Sequence, residues 1–232
     1  MSKADENTDL NEKINNFVRK NRTPILVSIG IIVLVLAGFI ITVSVIGASR
    51  NRAISAVEDL FSRYETLRPS ISADPLPNGD SSGSELETLL TDLETFAKKT
   101  GGYAGGRAWA IIAAIHGGKK DWAQAENAWT SAANTAKKTY LEPIAWFNAA
   151  ACAEEQGKNE QALEYYANSL EVKAAFPAAV QAQFSIGRLK ETGGDREGAI
   201  EAYRTLISRW SYDTTWANLA HSRIAALEAQ AQ

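Results

Sequence analysis

Residues 146–150 are Trp-Phe-Asn-Ala-Ala, a glycine follows at Gly157, and residues 161–166 are Gln-Ala-Leu-Glu-Tyr-Tyr. This order predicts a helix, a tight turn at the glycine and a second helix that runs back along the first. Ala162 is small enough for two antiparallel helices to come into contact. Tyr166 lies one helical turn later on the same face, where its ring can fill the space beside a neighbouring unit.

This pair of residue types occurs three times, as Ala125 with Trp129, Ala162 with Tyr166 and Ala199 with Tyr203. Successive pairs lie 37 residues apart, and so do two further tryptophans, Trp109 and Trp146. Unrelated helical hairpins would not show the same 37-residue interval between three successive pairs, so the pattern indicates a structural repeat. It resembles the tetratricopeptide repeat, whose usual period is about 34 residues, with the additional residues placed between the repeats.

The repeats predict an all-α fold, an α-solenoid of about four helical hairpins with a C-terminal capping helix, over residues 49–232. Three regular hairpins are expected at 106–139, 143–176 and 180–212. The first hairpin is degenerate: its helices cover 52–67 and 85–99, and a flexible loop over 69–84, rich in Pro, Ser, Gly and Asp, joins them.

Residues 101–106, Gly-Gly-Tyr-Ala-Gly-Gly, resemble a phosphate-binding loop only superficially, because no strand precedes them and no Gly-Lys-Ser/Thr follows. We interpret them as a hinge between helices with close backbone approach. Asp213 is expected to cap the last helix at its N-terminus.

No charged residue occurs in the 27 positions from Thr23 to Ser49. A membrane-spanning helix needs roughly 20 apolar residues, so residues 24–48 are predicted to form a transmembrane signal anchor. A cleaved signal peptide has a shorter apolar region of at most about 15 residues, although the small residues up to Ala48 would suit a cleavage site.

Residues 1–23 form an N-terminal tail, predicted to be cytoplasmic. Four cations flank the span on this side and three on the other, a slight bias that places the N-terminus inside and the large domain outside the inner membrane of a bacterium. Apolar residues recur at helical spacing in the tail, at Leu10, Ile14, Phe17 and Val18. The tail is therefore either a short amphipathic helix on the membrane surface or a disordered segment.

Composition excludes several functions. The net charge is −3 without a basic stripe, which argues against a nucleic-acid partner. The single cysteine, Cys152, excludes a disulfide framework and a multi-cysteine metal site. His116 and His221 lie far apart and lack neighbours at metal-ligand spacing. We therefore predict no catalytic residues, no metal, no cofactor, no small-molecule substrate and no enzymatic activity.

A protein-binding groove is the remaining candidate site, since the first helices of successive repeats line the concave side of such a solenoid. Spacing from the start of each repeat predicts six groove residues: Arg107, Phe147, Glu154, Gln181, Phe184 and Arg188. Phe147 and Phe184 are equivalent positions, and two exposed aromatic rings would suit an extended or helical peptide. In the alternative interpretation, both rings pack between repeats.

The whole chain resembles the YfgM-like ancillary subunits of the bacterial Sec translocon. The shared features are the basic tail Phe17-Val18-Arg19-Lys20-Asn21-Arg22, one N-terminal span, a helix that starts near Arg52 and a small helical-repeat domain. The resemblance implies a single-pass inner-membrane protein with a periplasmic domain. It further implies a non-catalytic adaptor that links SecYEG to periplasmic chaperones or exported polypeptides.

Two other functions are compatible with the same features. An envelope-assembly or cell-division scaffold of the inner membrane would use the same anchor and the same repeats. A secreted or periplasmic helper of a transporter would require cleavage near Ala48, which a mass measurement of the mature chain detects.

Overall fold

The computed structural model describes residue 13 and residues 15–71, 82–172 and 176–229. These residues form helices and no strand, which confirms the all-α prediction. The helices are α1 (Arg22–Ile71), α2 (Ser82–Lys99), α3 (Gly102–Gly118), α4 (Trp122–Thr135), α5 (Leu141–Glu155), α6 (Asn159–Glu171), α7 (Ala179–Thr192), α8 (Arg196–Arg209) and α9 (Thr214–Ala229). The chain divides into two compact units, Met1–Arg52 and Ala53–Gln232.

The first unit contains an apolar stretch of α1 that is long enough to cross a membrane. Its large apolar side chains are exposed, with Leu34 73% and Phe39 65% accessible. Length and composition alone do not separate a membrane anchor from a signal sequence near the N-terminus, so the choice between an anchor and a cleaved leader stays a prediction. Residues 15–20 precede α1 as a short helical segment, and Asn21 forms a turn between the two.

The second unit is a stack of helical hairpins. Helices α3 and α4, α5 and α6, and α7 and α8 pair as antiparallel neighbours, and each pair follows one predicted repeat. The first helices α3 and α5 also touch directly, and the first helix α7 touches the last helix, α9. This arrangement is the solenoid that the 37-residue interval predicts.

The repeated alanines hold the hairpins together. Ala125, Ala162 and Ala199 are completely buried, so the paired helices approach closely at these positions. Tyr166 and Tyr203 are buried as well, at 3% and 0% exposure. The side chains that define the repeat in the sequence therefore also form its core.

The turns inside the hairpins require a left-handed backbone at equivalent positions. Gly157 has a φ of 71° and Gly194 has a φ of 82°. In the first regular hairpin Lys120, and not the nearby Gly118, occupies this position with a φ of 59°. A lysine is strained there, because its Cβ crowds the following carbonyl.

Two predicted boundaries near the first hairpin were wrong. Helix α1 continues through Pro69 to Ile71, and α2 begins at Ser82, so the expected loop over 69–84 is helical at both ends. Residues 72–81, the centre of that loop, lie outside the described part of the chain.

The predicted hinge at 101–106 was also wrong, since α3 begins at Gly102. The predicted close approach is confirmed: a Cβ added to Gly106 would lie 2.4 Å from the Cβ of Ala136, and one added to Gly105 would lie 1.8 Å from the carbonyl oxygen of Thr100. These glycines let the start of α3 pack against its neighbours.

The last helix, α9, covers the end of the stack. The Asp213 carboxylate accepts a hydrogen bond of 3.3 Å from the Trp216 N–H, which confirms the predicted N-cap. Ala220 and Leu227 are buried, whereas Leu219 is 42% exposed.

Candidate functional site

The first helix of each hairpin carries the residues predicted to line a groove. Arg107 on α3 forms a bidentate ion pair with Glu58, with its Nε 2.6 Å and its Nη2 3.1 Å from the two carboxylate oxygens. The guanidinium also lies 4.4 Å from the ring centroid of Phe61. Arg107 therefore links α3 to α1, and its charge already has a partner within the chain.

The two predicted groove aromatics are half-buried and pack against aromatic rings of their own hairpin and of the segment that follows it. Phe147 contacts Tyr166 and Phe176, with ring centroids 5.4 and 6.2 Å apart. Phe184 contacts Tyr203 and Trp216 at 5.3 and 5.1 Å. This geometry agrees with the alternative interpretation, in which both rings stabilise the stack.

Glu154 and Arg188 form an ion pair that joins α5 to α7. The second carboxylate oxygen of Glu154 accepts a 2.7 Å hydrogen bond from the hydroxyl of Tyr166. Burial raises the pKa of Tyr166, and the hydrogen bond to Glu154 raises it further. Two predicted groove residues thus lie together, and both take part in the contact between hairpins.

The same arrangement recurs one repeat later, where Glu191 and Arg223, neither of them a predicted groove residue, join Tyr203. Glu191 accepts a hydrogen bond of 3.0 Å from the Tyr203 hydroxyl and is ion-paired with Arg223 of α9. Burial, followed by the bond to Glu191, raises the pKa of Tyr203 to about 12. The 37-residue interval could have identified Glu191, because it separates Glu191 from Glu154 as well as the two tyrosines.

The first regular hairpin has a different polar contact. Its α4 residue Glu126 is buried and accepts hydrogen bonds from Gln156, Lys158 and Tyr165, at 2.8, 3.0 and 3.2 Å. These donors come from the turn after α5 and from α6. Glu126 therefore stabilises the neighbouring hairpin at its turn, as buried carboxylates with several donors do.

Three polar side chains lie at the N-terminal ends of the first helices. Gln181, the remaining predicted groove residue, is exposed on the first turn of α7. Tyr103 and Tyr140 occupy the corresponding ends of α3 and α5, with hydroxyl oxygens 2.8 Å apart and ring centroids 5.4 Å apart. Tyr140 is 57% exposed. We call Tyr103, Tyr140 and Gln181 the N-terminal rim.

Two open clefts lie elsewhere on the second unit. One of about 730 Å³ is formed by the ends of α4, α5 and α6, and its walls include Lys137, Glu142 and Trp146. Another of about 520 Å³ lies between α1 and α2, where Arg63 and Asp92 form a 2.7 Å ion pair.

The reactive side chains do not form a catalytic group in the described part of the chain. His116 Nδ1 lies 3.5 Å from an oxygen of Asp121, and His221 is exposed on α9. Burial, with lesser contributions from Glu126 and Glu155, raises the pKa of the Cys152 thiol to about 11. No cluster of three or more His, Cys, Asp or Glu suited to a metal ion occurs among the described residues.

Comparisons with known proteins agree with this architecture. A family model described as a tetratricopeptide repeat matches residues 144–171 and 181–211. A TPR repeat-containing protein of Treponema pallidum (strain Nichols) is 32% identical over 211 residues, which cover 86% of this chain and 87% of that protein.

Among solved structures, the chain is similar to the crystal structure of a Podosopora anserina putative kinesin light chain with nearly identical TPR-like repeats. The TM-score is 0.48 and the sequence identity is 12%. The match covers 76% of this chain and 98% of that one.

Proposed function

The chain belongs to the family of tetratricopeptide-repeat-containing proteins, and on that basis we propose that it is a membrane-anchored adaptor that binds other proteins without chemical turnover. Repeats of this kind form protein-interaction modules. The observation that carries the proposal is their presence in one chain with an apolar helix long enough to span a membrane. Anchoring raises the effective concentration of the repeat domain beside other membrane proteins.

The partner that we propose is the SecYEG translocon, with periplasmic chaperones or exported polypeptides as further ligands. The resemblance of the tail, span and repeat domain to the YfgM-like subunits supports this assignment. It requires the inner membrane, a cytoplasmic N-terminus and a periplasmic C-terminal domain. An envelope-assembly or cell-division scaffold is the alternative, because it would use the same anchor and the same repeats.

We propose the N-terminal rim as the partner-binding surface of the repeat domain. Tyrosine is enriched at the centres of protein interfaces, where it gives apolar contact and a hydroxyl. Tyr140 and Gln181 are exposed, whereas Arg107, Phe147, Phe184 and the Glu154–Arg188 pair hold the hairpins together. A partner therefore reaches the rim without disrupting the stack.

The test is a pull-down of the full-length protein from crosslinked bacterial membranes in mild detergent. Three forms are compared with the natural chain: residues 24–48 replaced by an unrelated span, Tyr140→Ala with Gln181→Ala, and Tyr212→Ala. Tyr212 is a matched control, since it is 79% exposed and lies outside the rim.

The translocon and the rim would be supported together by one pattern: the natural chain and Tyr212→Ala both enrich SecYEG subunits, whereas the rim variant does not. Loss on replacing the span would assign docking to the membrane segment. Enrichment of cell-wall or division proteins without the translocon would favour the scaffold. Recovery of no protein above the level of an unrelated anchored domain would contradict the adaptor proposal.

A further inference from the structure

We propose that residues 15–22 bind an anionic lipid surface next to the point where the apolar span begins. The proposal rests on the membrane anchor of the proposed function and concerns only the first unit of the chain. We call residues 15–20 the tail helix. Its chemistry combines exposed apolar side chains with cations and differs from that of the uncharged span.

The tail helix is separated from α1 by a local break. Asn21 forms a turn, and both its backbone N–H and its side-chain amide donate to the carbonyl oxygen of Phe17, at 3.0 and 2.9 Å. Pro24 explains the break, because it has no N–H to bond the carbonyl of Lys20 four residues earlier. The tail helix therefore does not have to continue along the axis of the span.

Two apolar side chains of the tail helix are exposed. Phe17 is 64% accessible and Val18 is 46% accessible. On a helical wheel they are about 100° apart; Lys20 lies about 60° beyond Phe17 on one side, and Arg19 lies about 100° beyond Val18 on the other. An apolar face flanked by cations is the arrangement of a helix that lies in the headgroup region, where long basic side chains reach the phosphates.

The charge of the segment selects the kind of lipid. Residues 15–22 contain Arg19, Lys20 and Arg22 and no acid. Each cation close to an anionic membrane strengthens binding by roughly fivefold. Phe17 lies only six positions before Thr23, where the uncharged stretch begins, so the span itself delivers the segment to the headgroups. An anionic phospholipid is therefore the partner of complementary charge.

Hydrogen exchange measures this binding, because an isolated helix shorter than about 12 residues is marginal in water and exchanges quickly unless a surface holds it. The full-length protein is reconstituted in nanodiscs of phosphatidylcholine, with or without phosphatidylglycerol, so that both membrane faces are accessible. Exchange is followed by mass spectrometry in a peptide that contains the tail helix, with a peptide from buried α5 as the internal reference.

We expect slower exchange of the tail helix only in discs with phosphatidylglycerol, and a return to fast exchange at high salt. Arg19→Gln with Lys20→Gln should reduce the protection by roughly 25-fold, about fivefold for each cation. Lys137→Gln with Lys138→Gln removes the same charge from the repeat domain and should leave the protection unchanged. Phe17→Ser should weaken it by removing apolar contact.

Equal exchange in both kinds of disc would overturn this inference while the anchor remains. Failure of the protein to integrate into either disc would overturn the anchor and the inference together. An RNA oligonucleotide is added to the protein in phosphatidylcholine discs as a competing polyanion. If it slows exchange of the tail helix more than phosphatidylglycerol does, the cations bind nucleic acid and the lipid assignment is overturned.

Discussion

Glu154 and Glu191 occupy equivalent positions 37 residues apart, and each carboxylate joins a tyrosine hydroxyl of its own hairpin to an arginine of the helix that follows that hairpin. Each tyrosine lies 12 residues after its glutamate. The contact therefore fixes two relations at once, the pairing of helices within a hairpin and the stacking of one hairpin on the next.

Replacing Glu191 by alanine should destabilise the C-terminal end of the stack. The Glu191 side chain is 17% exposed, and its loss leaves the Tyr203 hydroxyl and Arg223 without their acceptor. We expect a cost of about 1–3 kcal/mol, towards the lower end because Arg223 is 43% exposed. The measurement is thermal unfolding of the full-length protein in detergent, followed by near-ultraviolet circular dichroism.

A double-mutant cycle separates the hydrogen bond from the rest of this contact. If Tyr203 and Glu191 interact directly, Tyr203→Phe should cost much less in the Glu191→Ala background than in the natural chain. Glu197→Ala is the control, since Glu197 is an exposed acid on the first turn of α8. Equal costs of Tyr203→Phe in both backgrounds would show that the hydroxyl does not depend on the carboxylate.

Gly187→Ala should destabilise the same region by over-packing. A Cβ at Gly187 would lie 2.5 Å from Cε1 of Tyr203, and the buried ring cannot move without displacing its neighbours. Added methyl groups in a tight core typically cost about 1–3 kcal/mol. Gly193→Ala, where the nearest atom is 3.4 Å away, should be nearly neutral in the same unfolding experiment. An equal effect at both positions would contradict this packing.

The stack of hairpins could be predicted from the sequence because the residues that repeat every 37 positions are also the residues that pack in its core. Ala162 and Tyr166 are buried where two antiparallel helices come into close contact. The same contact restricts the residue types at these positions, so the pair can be recognised in the sequence. The N-cap at Asp213 was predictable on the same local grounds. Local residue types and spacing are sufficient for features of this kind.

The partners of the groove residues depend on the neighbouring hairpin and could not be predicted in this way. The arginine that pairs with Glu154 lies 34 residues later, whereas the one that pairs with Glu191 lies 32 residues later, so no fixed interval reveals the ion pairs. Spacing placed Phe147 and Phe184 on the first helices. It did not show that Tyr166 and Phe176 cover the first ring and that Tyr203 and Trp216 cover the second.

The backbone strain at Lys120 predicts a stabilising substitution. Glycine adopts a positive φ without steric cost, so Lys120→Gly should relieve the backbone strain. Glycine is also more flexible in the unfolded chain, which offsets part of this gain, and the net stabilisation should be roughly 0.5–1 kcal/mol. Gly157→Ala should have the opposite effect, about 1 kcal/mol or more, through strain alone, since no atom lies within 4 Å of the added Cβ. Lys119→Gly, at a residue with φ of −82°, controls for loss of the lysine side chain.

The buried thiol predicts a loss of stability in alkaline solution. The pKa of Cys152 is about 11 in the folded protein, against an ordinary value of 9.0, because burial disfavours the thiolate. A raised pKa stabilises the folded state fully below pH 9.0, and this contribution disappears as the pH rises through about 11. Thermal unfolding of the natural protein and of Cys152→Ala is measured across that range. The natural protein should lose more stability than the variant, because only its thiol must ionise. Parallel curves would show that Cys152 ionises as easily in the folded protein as in the unfolded chain.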